Sequence, residues 1–289
     1  MSILPPPIPD PKMTFVNDLF KGKVLFCTGG RSGICYQIVE TMMSFGVNAA
    51  IVGRDAKGLE ESAKNLEKAT GSKCIATPAD VRQPIQIKNA VKLTQDTYGK
   101  IDFVICGAAG NFLAPIYGLS ENAFRTVVEI DLLGTYNTLK ATLPLLRASR
   151  GAYLHISATL HYRGIPYQSH VAAAKAGVDA LSNSIAVEEG PWGVRSNILA
   201  PGPIQGTAGI EKLQTQGQRV EDCIPLGRKG STLDIANAAV YLFSPAAAWV
   251  TGAIFVVDGG ENHLGSIKLP YPQAMLDPES VKSLIKPRL

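Results

Sequence analysis

The sequence predicts an α/β fold with a single doubly wound domain, in which helices cover both faces of a seven-stranded parallel sheet. The main observation is that short β-rich apolar runs alternate with helix-length amphipathic segments along most of the 289 residues. A second observation is that several apolar runs end in glycines, which mark strand ends. The composition agrees, since 46% hydrophobic and 18% charged residues are ordinary for a globular chain.

Four strands and three helices are predicted in the first half of the chain. The first helix stops at Gly46, and Pro84 suits the start of the third. The strands are KVLFCTGG, NAAIVGR, KCIATPAD and IDFVICGAAG, and the helices are SGICYQIVETMMSFG, DAKGLEESAKNLEKATG and PIQIKNAVKLTQDTYG. Parallel strands joined in this way take right-handed crossovers.

The second half of the chain continues the alternation. One long helix is predicted from about Glu121 to Ala148, and another from about Tyr167 to Glu189. The remaining elements are the strands AYLHISA, VRSNILA and GAIFVVDGG and the helix TLDIANAAVYLFS. The total is seven strands, which agrees with one sheet covered on both faces.

Residues 20–262 are expected to form this domain, because no linker divides them. Residues 1–19 predict a proline-rich N-terminal arm that lacks the basic start and apolar run of a secretory signal. Residues 263–289 are predicted to form a C-terminal tail. It ends in Pro287-Arg288-Leu289, which is loosely similar to the Ser-Lys-Leu signal that a peroxisomal import receptor reads. The less regular residues 204–230 are either a surface excursion or a lid over a substrate cleft.

Charge and residue usage argue against several classes of function. The net charge of +4 is mild, and no basic run or aromatic-basic stripe indicates nucleic-acid binding. No apolar run approaches the length of a membrane span. The four histidines are scattered, so no metal site is expected. The cysteines form no CxxC pair and predict buried free thiols in a reducing compartment; they are Cys27, Cys35, Cys74, Cys106 and Cys223.

A glycine-rich loop, TGGRSGI, follows the first strand and opens the first helix. Gly29 permits a tight turn, and Gly33 lets the backbone approach a phosphate. The helix N-terminus supplies free amides and a positive dipole end. The position in the first βαβ unit therefore predicts a Rossmann-type nucleotide site, although the spacing departs from GxGxxG. The loop residues expected to bind cofactor are Gly29, Arg31, Ser32, Gly33 and Ile34.

The second strand ends in VGRD, without the acid that an NAD site uses for the ribose hydroxyls. Arg31 and Arg54 suit a 2′-phosphate, because guanidinium groups bind phosphate bidentately. NADPH is therefore the expected cofactor. The alternative is that Arg54 merely starts a helix that Asp55 caps.

Further cofactor contacts are expected where other strands end, at the carboxyl edge of the sheet. Asp80 can accept from the adenine amino group, the small residues of GAAG let the cofactor lie against the backbone, and PGPIQGT can receive the carboxamide. The residues predicted to bind cofactor in these segments are Asp80, Val81, Ala108, Ala109, Gly110, Pro201, Gly202, Pro203 and Ile204.

Together these segments resemble the short-chain dehydrogenase/reductase family over about residues 20–262. The resemblance rests on TGGRSGI, GAAG, Ser157, Lys175, PGPI and VTGAIFVVDGG. It implies that Ser157 is the family's active-site serine and that Lys175 is the lysine that holds the nicotinamide ribose. The family's tyrosine position is Val171, however, and its asparagine position is Asp131. Carbonyl reduction needs a proton donor at the oxygen, so that reaction is in doubt.

Three nearby residues could be considered as a replacement acid. His170 lies five positions before Lys175, and only residues three or four apart share a helix face. Tyr162 and Tyr167 lie in the loop before the helix, where tyrosine is more often amphipathic packing. None of the three is expected to be the acid.

One branch of the family fits the departures. The chain resembles fungal-type peroxisomal 2,4-dienoyl-CoA reductases in GKIDFVICGAAGNF, LSENAF, EIDLLGTYNT, SATLHYRGIPYQSHVAAAKAGVDAL and AVEEGPWGVRSN. That resemblance implies NADPH-dependent reduction of 2,4-dienoyl-CoA to 3-enoyl-CoA in the β-oxidation of unsaturated fatty acids, within the peroxisome, by a homodimer or homotetramer. Hydride adds to C5, charge spreads to the thioester, and the proton goes to C2, where a tyrosine beside the nicotinamide is poorly placed.

The hypothesis for catalysis is that Asp131 and Lys175 order a water that protonates C2. Asn111 and Ser157 are candidate donors to the thioester oxygen. The alternative for Asp131 is a purely structural pair with Lys175.

The resemblance also suggests substrate contacts. Arg54, Arg82 and Lys212 could meet CoA phosphates, while Phe112 and the turn Ser120, Glu121 and Asn122 could line the acyl-pantetheine channel. Two rival functions remain open. One is a 3-oxoacyl or 3-hydroxyacyl thioester oxidoreductase, against which Val171 argues. The other is a non-catalytic protein that binds NADPH or acyl-CoA.

Overall fold

A computed structural model describes residues 10–162, 164–207, 224–264, 276–277 and 279–280. Lys212, Cys223 and the Pro287-Arg288-Leu289 tail lie outside these residues, as does the middle of the 204–230 segment. The predictions made for them stay predictions.

The seven predicted strands form one sheet, and all six neighbouring pairs are parallel. The strand order is β3-β2-β1-β4-β5-β6-β7, so the chain reverses direction across the sheet between β1 and β4. The strands are β1 Val24–Thr28, β2 Asn48–Gly53, β3 Cys74–Pro78, β4 Phe103–Cys106, β5 Ala152–Ile156, β6 Arg195–Pro201 and β7 Ile254–Val257. The predicted doubly wound α/β fold is confirmed.

Helices cover both faces of the sheet. On one face α1 packs against α7, and on the other α3 packs against α5. The helices are α1 Gly33–Met43, α2 Ala56–Thr70, α3 Pro84–Tyr98, α4 Glu121–Val128, α5 Gly134–Ser149, α6 Ser169–Glu189 and α7 Thr232–Phe243. Two large buried clusters result, one including Ile38 and Val240, the other including Ile87 and Tyr153. The four cysteines that the structure describes are free and buried, as predicted.

The helical stretch predicted from about Glu121 to Ala148 is helical from Glu121 to Ser149, but its hydrogen-bond pattern changes within it. A π-helical turn, Glu129–Leu133, separates α4 from α5. Such turns insert an extra residue into the helical repeat and often occur at functional sites. The predicted helical stretch is therefore confirmed, whereas the π-helical turn within it was not predicted, because hydrophobic periodicity does not register a single wide turn.

The helix expected from about Tyr167 begins two residues later, at Ser169. Tyr167 has a φ of 67°, a left-handed conformation that cannot continue into a right-handed helix. Its carbonyl instead accepts from the Ala114 amide at 3.0 Å, which ties two loops together.

The ends of two less regular segments lie against the domain. The end of the predicted N-terminal arm packs on the core, where Phe15 meets Phe45 edge-on at 6.0 Å between ring centroids. In the 204–230 segment, Ile204 and Gly230 form a parallel bridge. The two described ends of this segment are therefore held side by side.

Candidate active site

A cavity of about 450 Å³ opens at the carboxyl edge of the sheet, where β1, β2 and β4 end. This is the size range of small-molecule and cofactor sites. It lies at the point where the strand order reverses, which is where doubly wound sheets bind ligands. Its lining includes predicted cofactor residues, namely Gly29, Arg31, Ser32, Gly33, Ile34, Arg54, Asp80, Val81, Ala108 and Ala109.

The glycine-rich loop is held against the end of β4 by Thr28. Its hydroxyl accepts from the amides of Gly107 and Ala108 at 3.1 and 3.4 Å. Gly29 must lack a side chain, since a Cβ there would lie 2.7 Å from the Gly107 carbonyl oxygen. Gly33 has a φ of 61° and open space where a Cβ would point, which leaves the N-terminus of α1 accessible to a phosphate.

Two arginines flank the cavity at the end of β2. Arg31 lies 3.3 Å from Asp55, measured from Nη1 to Oδ2, and both side chains are about half exposed. Asp55 also caps α2 by accepting from the Gly58 amide at 3.1 Å. Capping and the arginine pair are therefore compatible, because the cap uses a different oxygen from the one nearest Arg31.

Asp80 and Arg82 form a bidentate ion pair beside the cavity, with Nη2 and Oδ2 2.6 Å apart. The hydrogen bonds from Arg82 hold the pKa of the Asp80 carboxyl below its usual range. Both residues were predicted to meet ligands, Asp80 the adenine and Arg82 a CoA phosphate. Because the two side chains are paired, each would have to contact a ligand while remaining in its ion pair with the other.

The predicted contacts at the end of β6 lie at the same sheet edge but do not line the cavity. Gly202 donates to the Val257 carbonyl at 3.0 Å, and Ile204 is buried. Thr207 is the residue of this segment that lines the cavity. The four residues concerned are Pro201, Gly202, Pro203 and Ile204.

Asp131 and Lys175 form a buried pair at the end of β5. Lys175, on α6, donates to the Ile156 carbonyl at 2.8 Å and lies 3.2 Å from Asp131 Oδ2. Asp131 is in the π-helical turn and is 1% exposed. Its Oδ1 accepts from the Gly110 amide at 2.7 Å. Through these contacts the predicted site residues Asp131, Lys175 and Gly110 are connected to Ile156, which lines the cavity.

The other two predicted catalytic residues have unsatisfied polar atoms. Ser157 Oγ and Asn111 Oδ1 are buried, and neither has a hydrogen-bond partner among the described residues. Buried polar atoms without partners are rare in folded proteins and call for an explanation. Two such atoms beside a buried ion pair agree with a site that is completed by ligand.

Val171 is 3% exposed and packs with Val127 and Ala174 in a small apolar cluster. No proton donor therefore stands one turn before Lys175. Tyr162 and Tyr167 are only partly covered, and this partial burial, with the charges of Asp179 and Asp258, raises the pKa of Tyr162 to about 12. A hydroxyl with so high a pKa is a poor acid near neutral pH.

The residues predicted to bind substrate are only partly brought together. Phe112 follows Asn111 directly and is exposed at its edge. Ser120 caps α4 by accepting from the Ala123 amide at 3.2 Å, and Glu121 and Asn122 form the exposed first turn. The start of a helix accounts for the contacts of these three residues, and no ligand is needed to explain them.

The sequence analysis missed several features of the site. Ile130 and Ile156 line the cavity, but apolar residues of a helix and a strand carry no sequence signal for this. His170 was set aside by helix spacing, yet its buried ring stacks on Phe112. Within the described residues, no group of three or more His, Cys, Asp and Glu could hold a metal, and none of the helices is long and apolar enough to span a bilayer.

Comparisons with known proteins agree on one family. Residues 29–262 match the family model described as enoyl-(acyl carrier protein) reductase. The chain is 51% identical over 267 residues to the peroxisomal 2,4-dienoyl-CoA reductase ((3E)-enoyl-CoA-producing) of Saccharomyces cerevisiae, covering 90% of this chain and 91% of that protein. It is 44% identical over 249 residues to the Danio rerio protein of that description, with coverages of 84% and 82%. The crystal structure of levodione reductase superposes with a TM-score of 0.80 at 29% identity, covering 84% of this chain and 99% of that one.

Proposed function

This chain belongs to the short-chain dehydrogenase/reductase family, and on that premise we propose that it reduces 2,4-dienoyl-CoA to 3-enoyl-CoA with NADPH. The observation that carries the proposal is the buried Asp131–Lys175 pair combined with valine at position 171. A reductase of carbonyls needs an acid at that position, whereas reduction of a conjugated diene delivers its proton to a carbon elsewhere. Relatives from yeast, fish, mammals and a plant that are named as (3E)-enoyl-CoA-producing reductases support the same reaction.

The cavity fits a nicotinamide dinucleotide. The open N-terminus of α1 at Gly33 suits a pyrophosphate, because its amides and dipole favour negative charge. Arg31 and Arg54 at the end of β2 would hold a 2′-phosphate, which is the reason to propose NADPH over NADH. Lys175 would hold the nicotinamide ribose.

When bound, the cofactor supplies the hydride that adds to C5 of the diene. Asp131 and Lys175 would act together by ordering a water beside their ion pair; that water would give a proton to C2, and the hydroxide left behind would take a proton from the Lys175 ammonium. Because Asp131 Oδ2 accepts no hydrogen bond within the described residues, it has a free position for this water. The Ser157 hydroxyl and the Asn111 amide would donate to the thioester oxygen, where negative charge develops.

Substrate, location and assembly complete the proposal. The thioester would enter past Phe112, with Arg54, Arg82 and Lys212 toward the CoA phosphates. We propose that the protein works in the peroxisome in β-oxidation of unsaturated fatty acids, as the names of its relatives support, and that an import receptor reads its last three residues. A homo-oligomer is supported by the edge strand β7, whose Ile254, Phe255 and Val256 are exposed.

The test is NADPH consumption by the purified protein with 2,4-hexadienoyl-CoA and, separately, with a 3-oxoacyl-CoA. The proposal expects turnover of the dienoyl substrate alone, with a 3-enoyl product identified by chromatography. Turnover of the oxo substrate would mean that another group replaces the missing tyrosine. NADPH binding without turnover of either substrate would favour a non-catalytic binding protein.

A further inference from the structure

His170 is the second residue of α6, and its imidazole is completely buried. The ring lies against Phe112, with 4.3 Å between ring centroids and 36° between ring planes. Neither Nδ1 nor Nε2 makes a well-aligned hydrogen bond to the part of the chain that the structure describes, although the Phe112 backbone is close enough to the ring to act on its pKa. If packing on Phe112 were the only role of this side chain, an apolar ring would serve as well and would leave no buried nitrogen unsatisfied.

The position of His170 connects it to the proposed catalytic pair. Asp131 binds the amide of Gly110, and the ring of His170 packs on Phe112, two residues along the same loop. Asn111 lies between them, and its buried Oδ1 is also without a partner. The loop Gly110–Phe112 is thus held by Asp131 at one end and His170 at the other.

The electrostatic surroundings keep this imidazole neutral. Burial lowers the pKa of His170, and the Phe112 backbone and the Asp131 carboxylate oppose that effect only in part. The N-terminus of α6 adds a positive dipole end, which also disfavours a charged ring. A neutral imidazole keeps one N–H, so it can donate a hydrogen bond without taking part in proton transfer.

We propose that the imidazole N–H of His170 donates a hydrogen bond to the thioester carbonyl oxygen of the bound dienoyl substrate. This inference rests on the proposed function and adds a catalytic residue to it. After hydride addition the electron pair moves onto that oxygen, and the N–H stabilises the resulting charge. No bond to the ring is made or broken, since the proton that reaches C2 comes from the water. A donor fixed beside developing negative charge is effective, because it needs no reorganisation during reaction.

Helix spacing excludes His170 from the role of the family's tyrosine, and the role proposed here is a different one. His170 does not stand where the family's tyrosine stands, beside the nicotinamide. It contacts the loop that carries Asn111 and Phe112, on the side where the acyl thioester is proposed to lie. The sequence therefore excluded it as the acid of carbonyl reduction without excluding it as a donor to a thioester.

The experiment compares His170→Phe, which keeps an aromatic ring on Phe112, with His170→Gln, which keeps an amide donor. His263→Gln, at an exposed histidine, is the control. Each protein is assayed for kcat with 2,4-hexadienoyl-CoA and for the NADPH dissociation constant. The absorption band of 2,4-hexadienoyl-CoA bound with NADP⁺ is also recorded, because a hydrogen bond to the carbonyl moves the dienoyl band to longer wavelength.

We expect His170→Phe to lower kcat by roughly 100-fold, as loss of one such donor does elsewhere, and to abolish the shift of the band, with NADPH affinity unchanged. His170→Gln should keep part of both, and His263→Gln all of both. Wild-type kcat and band position in His170→Phe would overturn the inference, as would turnover by a wild-type protein that shows no band shift. A wild-type protein that does not reduce the dienoyl substrate would instead contradict the proposed function. If His170→Phe does not fold, His170→Leu, which also removes the donor and keeps an apolar side chain, is measured with the expectations given for His170→Phe.

Discussion

Asp131 and Lys175 come from different elements, a π-helical turn and α6, and meet with 3.2 Å between Oδ2 and Nζ, with both side chains buried. Each also binds backbone of a loop that follows a strand, Asp131 at Gly110 and Lys175 at Ile156. A buried ion pair is costly unless its charges are paired and hydrogen-bonded. These two charges are paired, yet Oδ2 accepts no hydrogen bond among the described residues, which leaves a position for a ligand.

Replacing Asp131 by asparagine tests its catalytic role. The amide oxygen of the new side chain can still accept from the Gly110 amide, but the Lys175 ammonium is left without a counter-charge. We expect kcat for 2,4-hexadienoyl-CoA to fall by about 10²-fold or more, in line with losses of acid–base groups. The measurement is kcat in a protein shown to be folded by circular dichroism.

Asp102→Asn provides a matched control for lost stability. Asp102 is another buried carboxylate with lysine partners, Lys23 and Lys100, but it lies at the opposite edge of the sheet, where β4 begins. It should lose stability and keep kcat. Full activity in folded Asp131→Asn would show that the Asp131–Lys175 pair is purely structural.

Restoring the family's tyrosine at position 171 should not create a carbonyl reductase. Val171 is buried with Val127 and Ala174 in an apolar cluster, so a phenol at this position would have to displace its neighbours. Overpacking of this kind costs typically about 1–3 kcal/mol. We expect Val171→Tyr to unfold at lower urea concentration than Val171→Ile and to consume no NADPH with a 3-oxoacyl-CoA. Appearance of that activity would mean that the new hydroxyl reaches the substrate and that only one residue separates the two reactions.

The sheet was predictable from the sequence because each of its strands contains a short, mainly apolar run bounded by turn residues. All seven strands and the carboxyl edge of the sheet follow from that pattern. The glycine-rich loop was predictable for a related reason, since Gly29 must pass within contact distance of the Gly107 backbone. These features depend on local residue type, which the sequence displays directly.

The remaining features of the site depend on contacts between distant residues. The π-helical turn at Asp131 adds one residue to the helical stretch without changing the apolar pattern, so periodicity predicted the stretch but not the turn. His170 could be judged only by its own helix, whereas its position is set by Phe112, which lies 58 residues earlier in the chain. Arg82 was predicted to bind a phosphate, because nothing in the sequence shows that its guanidinium pairs with the Asp80 carboxylate.

Arg54 should determine the choice between the two nicotinamide cofactors. It lines the cavity at the end of β2, and its charge contributes to the lowered pKa of Asp80. Loss of a charge-assisted hydrogen bond to phosphate corresponds to roughly 10- to 100-fold in affinity. We expect Arg54→Ala to weaken NADPH binding by about that factor and to leave NADH binding nearly unchanged.

Fluorescence titration with each nucleotide measures the effect. Lys57→Ala, which removes an exposed charge one turn further along α2, is the matched control and should change neither affinity. Equal weakening of both nucleotides by Arg54→Ala would place this side chain away from the 2′-phosphate.

His155 should make the protein less stable as the pH falls below about 6.5. It is completely buried in β5, where Nε2 lies 3.1 Å from Ser196 Oγ. Burial, and secondarily the charge of Lys175, lowers the pKa of His155 to about 3. Between that value and the unfolded pKa of about 6.5, the unfolded chain binds one proton more than the native protein. The free energy of unfolding therefore decreases on acidification by at most about 1.4 kcal/mol per pH unit from this residue.

Urea unfolding between pH 7 and pH 5 measures this slope above the range in which carboxylates titrate. His170, whose pKa is also lowered, contributes a slope of the same sign. His155→Gln retains an amide for Ser196 and should remove the part of the slope that His155 contributes, even if its stability at pH 7 is lower. His263→Gln should leave the slope unchanged. A wild-type slope in His155→Gln would show that His155 gains its proton in the native protein as easily as in the unfolded chain, which would require water to reach the centre of the sheet.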